Sequence, residues 1–138
     1  MQSKLNPYLS FKDNAREAME FYKSVFGGKL TLMTFKDAGA SQDPSQDALI
    51  MHSALEVENG MAFMGSDTPA GMEHRPGASI SMALSGDNLP ELTSYFERLS
   101  AGGKIGMPLA MAPWGDTFGS FTDRFGIEWL VNVAGKKN

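Results

Sequence analysis

The sequence predicts an α+β fold made of two tandem βαβββ modules, whose strands form curved mixed sheets within a single domain at 1–138. Two observations predict it. Strand-like alternation and helix-like periodicity follow each other in the same order twice along the chain. A Gly-Gly-Lys-aliphatic pattern at 27–30 also returns at 102–105, and 60–64 corresponds to 126–130. Internal repeats of this kind indicate that one structural unit occurs twice.

The first module, at about 4–66, begins with a strand and continues through a helix to three further strands. Its predicted elements are a strand at 5–11, a helix at 15–26, a strand at 29–35, a polar loop at 36–47, a strand at 48–57, a turn at 58–60 and a strand at 61–66. We expect Asp13 or Asn14 to cap the helix, because short polar side chains accept bonds from the first helical amides. Gly27-Gly28 ends it.

The second module, at about 77–134, repeats this order. Its predicted elements are a strand at 77–84, a helix at 88–101, and strands at 104–112, 118–123 and 126–133. Asn88 is the expected N-cap, and Pro90 is tolerated in the first turn because the amides there have no partner within the helix. Gly102-Gly103 ends the helix, as the first glycine pair ends the first helix.

The stretch WGDTFGSFTDRFGIEWLVN forms the last hairpin of the predicted fold. Asp123 suits its turn because a carboxylate can accept hydrogen bonds from turn amides, and Gly126 suits a position of positive φ. Alternation gives the last strand two faces, one with Ile127, Trp129, Val131 and Val133 and the other with Glu128, Leu130 and Asn132. The first face is uniformly apolar, so we assign it to the core beneath a helix and the second to the concave side of the sheet.

Composition excludes several classes of function. A net charge of −4 without a basic run argues against a nucleic-acid partner. No apolar run approaches about 20 residues, so no membrane-spanning helix is expected. The chain has no cysteine, which excludes disulfides and thiol chemistry. The N-terminal segment lacks the layout of a secretion signal, and we expect a cytoplasmic protein.

The segments PYLSF, AREAMEFYKSVFGG, MHSALEVENGMAFMGSD and WGDTFGSFTDRFGIEWLVN together resemble the PhnB-like branch of the vicinal oxygen chelate (glyoxalase/bleomycin resistance/extradiol dioxygenase) superfamily. The resemblance covers nearly the whole chain, and it implies a glyoxalase/bleomycin-resistance-like fold and a homodimer. That branch is often labelled a demethylubiquinone methyltransferase. The sequence does not support this label, because it contains no strand, glycine loop and helix for a nucleotide-like methyl donor.

The resemblance also implies where a metal would bind, since the metalloenzymes of the superfamily use one His, Gln or Glu from each of strands one, four, five and eight. Here the corresponding strands offer Asn6, Tyr8 and Ser10; Ala62 and Met64; Ser79, Ser81 and Ala83; and Glu128 and Leu130. One carboxylate is too few donors for a divalent ion, so we predict no cofactor and no metal at the usual site. A divalent site rebuilt from His52, Glu56 and Glu128 stays open as an alternative.

Small-molecule binding without a metal is the first functional hypothesis. The expected ligand-binding residues are Tyr8, His52, Met64, Trp114, Phe118, Glu128 and Leu130. The alternative is a lyase, isomerase or dioxygenase-like enzyme acting on a small oxygen-rich substrate, with His52 and Glu128 as catalytic candidates for acid–base or rebuilt-metal chemistry. A structural or regulatory role, with no ligand on the concave side of the sheet, is a third hypothesis.

Three candidate residues and the methionines each have a purely structural interpretation beside the functional one. Tyr8 is either a cavity hydroxyl or a core tyrosine, and His52 is either a site residue or a packed histidine. His74 lies in a turn-rich loop as either a lid residue or a solvated side chain. The ten methionines either fill the core or give a ligand cavity a soft apolar lining.

Overall fold

The computed structural model describes residues 4–41, 43–69, 71–74, 76–77 and 79–135. The chain divides into two compact units between Pro76 and Gly77. The first unit contains β1 (Tyr8–Phe11), α1 (Ala15–Phe26), β2 (Lys29–Thr34), β3 (Ile50–Glu56) and β4 (Ala62–Asp67), and the second contains β5 (Met82–Gly86), α2 (Leu89–Ser100), β6 (Lys104–Met111), β7 (Thr117–Thr122) and β8 (Glu128–Val133). The two tandem βαβββ modules predicted from the repeat are therefore confirmed. No helix in the described ranges has the length and hydropathy needed to cross a membrane.

Both units use the same sheet topology. The strand orders are β1-β4-β3-β2 and β5-β8-β7-β6. The β1–β4 and β5–β8 pairs are parallel and the other pairs are antiparallel, so both sheets are mixed. Helix α1 packs against its own sheet in the first unit, and α2 does so in the second. We call the face of each sheet that points away from its own helix the first open face and the second open face.

Alternation in β8 follows the predicted pattern. Trp129 is 2% exposed, and Val131 and Val133 are also buried, whereas Leu130 is exposed. The ring of Trp129 stacks on Phe121 with the centroids 6.3 Å apart. The apolar face of β8 is therefore the core face of the second unit, and the face with Leu130 belongs to the second open face.

Methionines contribute little to the buried core of the described chain. Met19 on α1 is fully buried, whereas Met72, Met107 and Met111 are exposed. Met33 and Met64 are half-buried. Of the two interpretations given above, core filling therefore applies fully to Met19 alone among the described methionines.

The N-terminus of α1 is held by a distant carboxylate rather than by a local cap. Asn14 occupies the N-cap position, but its side chain makes no capping hydrogen bond. Instead, Asp67 at the end of β4 accepts a hydrogen bond from the amide of Ala15 through Oδ1 at 2.9 Å, and one from the amide of Ile50 through Oδ2 at 2.9 Å. The prediction that Asp13 or Asn14 caps α1 was therefore wrong, because the cap comes from a residue 52 positions along the chain.

The cap of α2 is local, as predicted. Asn88 Oδ1 accepts a hydrogen bond from the amide of Glu91 at 3.1 Å. Its Nδ2 donates to the carboxylate of Glu91 at 3.2 Å. The two helices therefore begin by different means, although the units share one topology.

This difference predicts unequal effects of the same substitution. We expect Asn88→Ala to lower the free energy of unfolding by about 1 kcal/mol, because it removes a side-chain cap. Asn14→Ala should cost less than about 0.5 kcal/mol, because no capping bond is lost. Urea denaturation of both variants measures the difference, and equal losses would contradict it.

Two strands begin at least three residues later than predicted, and Ala78, within the predicted fifth strand, lies outside the described residues. The fifth strand runs over Met82–Gly86 instead of 77–84, because pairing with β8 begins at Met82, opposite Trp129. The first strand begins at Tyr8 instead of residue 5. Pro7 precedes it and has no amide hydrogen to donate to a neighbouring strand.

The repeated Gly-Gly pair has the same structural role in both units. The first glycine of each pair has positive φ, 74° at Gly27 and 80° at Gly102. The second glycine approaches the backbone of a strand. A Cβ atom on Gly28 would lie 2.2 Å from the carbonyl oxygen of Glu56, and one on Gly103 would lie 2.1 Å from that of Thr122. The pair therefore turns the chain out of the helix and lets it pass close to the sheet.

Candidate functional site

The second open face carries a groove with a volume of about 380 Å³. Its lining combines a carboxylate, an ammonium, hydroxyls and an exposed apolar side chain: Glu128, Lys104, Ser81, Ser120, Thr122 and Leu130. Two of the seven predicted ligand-binding residues, Glu128 and Leu130, therefore lie in one groove.

Strand register arranges these side chains in rows. Lys104 on β6 lies opposite Thr122 on β7, and Thr122 lies opposite Glu128 on β8. The next row contains Ser120 opposite Leu130. Residues directly opposite each other point to the same face of a sheet, so each row crosses the groove.

The carboxylate of Glu128 lies in the groove and has few hydrogen-bond partners within its unit. The residue is half-buried. Within the described part of the second unit, its side-chain partner is Ser81 Oγ at 3.5 Å, which is near the outer limit for a hydrogen bond. Most of its hydrogen-bonding capacity therefore remains available to a ligand.

Asp123 sets the orientation of β8 and hence of Glu128. This aspartate is 3% exposed. Its Oδ1 accepts hydrogen bonds from the amides of Phe125 at 2.9 Å and Ile127 at 3.0 Å, and its Oδ2 accepts one from Trp129 Nε1 at 2.9 Å. With Trp129 held on the core side, alternation turns Glu128 outward. The predicted role of Asp123 in the turn is confirmed, and its bond to the indole is an additional role.

Trp114 and Phe118 form an aromatic pair on another part of the second unit. Their rings meet edge to face with centroids 6.1 Å apart, and Trp114 is 64% exposed. Neither residue lines the groove around Glu128. Phe118 lies opposite Asn132, whose amide donates to Asp116 Oδ2 at 3.1 Å.

Three predicted site residues meet on the first open face. Tyr8 on β1 lies beside Met64 on β4 in the parallel register. The rings of Tyr8 and His52 have centroids 6.1 Å apart with a 35° angle between their planes. Tyr8 is 48% exposed, so the interpretation as a core tyrosine was wrong. His52 is half-buried, and its imidazole makes no hydrogen bond within the described part of its unit.

The predicted pair of His52 and Glu128 draws one residue from each unit. His52 belongs to the first unit and Glu128 to the second. Their pairing stays a prediction.

The residues at the superfamily's metal positions do not fit the expected donor set. On the strand positions concerned, β1 offers Tyr8, β4 offers Met64 and β5 offers Ala83, while β8 offers Glu128 and Leu130. Hard divalent ions require several carboxylate or imidazole ligands. No group of three or more His, Cys, Asp or Glu side chains in the described ranges is arranged to hold an ion.

The alternative metal site rebuilt from His52, Glu56 and Glu128 is disfavoured by the distance between two of its members. His52 and Glu56 lie four residues apart on β3, which separates their Cα atoms by about 13 Å.

His74 is neither fully solvated nor isolated. Its Nδ1 lies 3.2 Å from Thr68 Oγ1, which itself donates to the carbonyl of Phe11 at 2.9 Å. The tautomer of His74 determines which of the two atoms donates in the first contact. The pair lines a separate cavity of about 530 Å³ in the first unit, which also includes Lys12 and Asp13.

Sequence reasoning missed Lys104, Ser120 and Thr122. Two signals could have found them. Lys104 belongs to the repeated Gly-Gly-Lys pattern, and Ser120 and Thr122 share one phase of β7. What the sequence does not give is the register that brings these strands together beside Glu128.

The two βαβββ units with one shared sheet topology place the protein in the class with the glyoxalase/bleomycin-resistance fold. A glyoxylase/bleomycin resistance protein/dioxygenase domain from Frankia sp. EAN1pec has the same fold, with a TM-score of 0.68 over 100% of this chain and 96% of that chain. Its sequence identity is 15%, so this likeness establishes the fold alone.

The chain belongs to the 3-demethylubiquinone-9 3-methyltransferase family, whose model matches residues 3–132. The crystal structure of protein PA1353 from Pseudomonas aeruginosa is 35% identical, with a TM-score of 0.85 over 98% of this chain and 100% of that chain. A PhnB protein from Bacillus cereus, also named for 3-demethylubiquinone-9 3-methyltransferase, is 26% identical, with a TM-score of 0.75 over 96% of this chain and 100% of that chain. The predicted resemblance to the PhnB-like branch of the vicinal oxygen chelate superfamily is therefore confirmed.

Proposed function

We propose that this protein binds a small molecule in the groove of the second open face and does so without a metal ion. The observation that carries the proposal is the Glu128 carboxylate, which lies beside exposed Leu130 with one weak internal partner. Ligand sites combine apolar surface with a few polar groups that fix orientation, and the groove volume of about 380 Å³ lies in their usual range.

The side chains at the superfamily's ligand positions support independence from a metal. Met64, Ala83 and Leu130 stand where carboxylates or imidazoles would be needed. Binding then depends on hydrogen bonds and apolar contact, for which Glu128, the nearby hydroxyls and Leu130 suffice.

Acid–base catalysis is the second candidate function. His52 favours it, because a half-buried imidazole without a hydrogen bond in its unit can exchange a proton with a substrate. In this role His52 would serve a lyase or isomerase that acts on an oxygen-rich molecule. If a His52→Gln variant converts a substrate as fast as the parent protein does, His52 does not have this catalytic role.

Methyl transfer, which the family description names, is not part of the proposal. Nucleotide-like cofactors are commonly held at a glycine-rich loop between a strand and a helix. The connection from β1 to α1 is Lys12-Asp13-Asn14, and the one from β5 to α2 is Asp87-Asn88. Neither connection has that loop.

A titration followed by amide NMR tests the binding function. We expect members of a small-molecule fragment library to shift amide signals around Leu130 and Ser120. Leu130→Lys should weaken the best binder at least about tenfold, because it adds a charge to an apolar contact. Addition of Mn²⁺ or EDTA should leave the affinity unchanged.

Leu89→Lys is the matched control, because Leu89 is an exposed leucine on α2. This variant should bind within about twofold of the parent, a difference below about 0.5 kcal/mol. Signals that shift only outside the groove would contradict the proposal, as would equal binding by the Leu130→Lys and Leu89→Lys variants. An affinity that depends on a stoichiometric ion would contradict the metal-independent part.

We also infer a cytoplasmic homodimer. Exposed apolar side chains on and after β6, including Ile105, Met107, Met111 and Trp114, support an interface between copies of the chain. The absence of cysteine is compatible with a reducing compartment.

A further inference from the structure

The groove contains two opposite charges that are not paired with each other. Lys104 and Glu128 lie in one row of the second open face, with Thr122 on the strand between them. Two strand spacings separate their Cα atoms by about 10 Å. Neither side chain forms an ion pair within the described part of the second unit.

The corresponding row of the first unit is arranged differently. There Lys29 lies directly opposite Glu56, and Glu56 in turn lies opposite Ala62. By the repeat, Lys29 corresponds to Lys104 and Ala62 to Glu128. In the second unit the carboxylate is therefore one strand farther from the lysine than in the first unit. The short side chain of Thr122 leaves room between the two charges.

From this arrangement we infer that the ligand is a small zwitterion with an apolar body, such as an aromatic α-amino acid. Its ammonium group binds the carboxylate of Glu128, and its carboxylate binds the ammonium of Lys104 above Thr122. The inference rests on the proposed function, because it names the ligand class of the same groove.

Neighbouring groups suit this ligand. Ser120 Oγ accepts a hydrogen bond from the amide of Met107 at 3.2 Å, so the hydroxyl proton can be donated to a ligand carboxylate. Leu130, directly opposite Ser120, offers apolar surface to the body of the ligand. A singly charged ligand would leave either Lys104 or Glu128 without a partner, which favours the molecule that carries both charges.

Four probes with one ring system test the inference: tryptophan, tryptophan amide, N-acetyltryptophan and indole-3-ethanol. They carry both charges, a positive charge, a negative charge and no charge, respectively. Amide NMR titrations of the full chain should give tryptophan an affinity about threefold to tenfold above each of the others. The preference should decrease as salt is added, because exposed charges are screened.

Two variants separate the contributions of the charges. Glu128→Gln should abolish the preference for tryptophan over N-acetyltryptophan, and Lys104→Met should abolish the preference over tryptophan amide. Lys29→Met is the matched control, since it removes the equivalent lysine of the first unit, and it should leave both preferences intact. Thermal unfolding of each variant verifies that it is folded.

Several results would overturn the inference. These are equal affinities for the four probes, no binding of any probe in the groove, and a Lys29→Met variant that loses preference as Lys104→Met does. If the probes fail while other fragments still bind around Leu130, the zwitterion inference falls and the binding function stands. If nothing binds the groove, both fall.

Discussion

Replacing Asp123 with alanine is expected to lower the free energy of unfolding by about 3–5 kcal/mol, because three donors lose a buried acceptor. The donors are the amides of Phe125 and Ile127 and the indole Nε1 of Trp129. With typical stabilities of about 5–15 kcal/mol, such a loss would leave the variant marginal. Urea denaturation followed by circular dichroism measures it. An unfolding midpoint equal to that of the parent would contradict the assigned role.

A double-mutant cycle isolates the bond between the carboxylate and the indole. Asp123→Asn can keep one oxygen for the two turn amides but turns an amide group toward Trp129. Trp129→Phe removes the indole donor and keeps an aromatic ring in the core. The double variant should therefore be more stable than the sum of the single losses predicts, by about 0.5–3 kcal/mol. Strict additivity would indicate that the bond contributes nothing.

The second large effect is expected at Gly103. A Cβ atom there would lie 2.1 Å from the carbonyl oxygen of Thr122, so the backbone must move. We expect Gly103→Ala to cost about 2–4 kcal/mol, as overpacking against a rigid neighbour does. Because Lys104 and Thr122 line the groove proposed to bind the ligand, the same shift should weaken binding in any folded fraction.

Gly86→Ala provides the control for Gly103→Ala. A Cβ atom on Gly86 would be 3.6 Å from Leu92, an ordinary contact. This substitution should change the free energy of unfolding by less than about 1 kcal/mol. Similar losses for the two variants would show that close approach to β7 is not what requires glycine at residue 103.

The sequence predicted those parts of the fold that depend on local patterns. Alternation assigned Trp129 to the core and Leu130 to the open face, because side chains in a strand change sides at every residue. Asn88 was identified as a cap because its partner, Glu91, lies three residues away. The repeated glycine pairs indicated the two units because each pair comes directly after a helix, so a short stretch of sequence is enough to recognise it.

The features that were missed depend on contacts between distant residues. Asp67 caps α1 from the end of another strand, so no motif near the helix reveals it. The fifth strand was predicted to begin too early because alternation continues upstream of Met82, where its pairing with β8 begins. The row from Lys104 through Thr122 to Glu128 depends on the register of three strands, which hydrophobic periodicity alone does not determine.

The burial of Trp129 divides β8 into positions with different effects on stability. Positions 129, 131 and 133 maintain the folded state, whereas 128, 130 and 132 project from the opposite side of the same strand. Substitutions at the outward positions can accumulate with small effects on stability. A family built on this strand can therefore acquire new chemical preferences by exchanging a few outward side chains while its scaffold is retained.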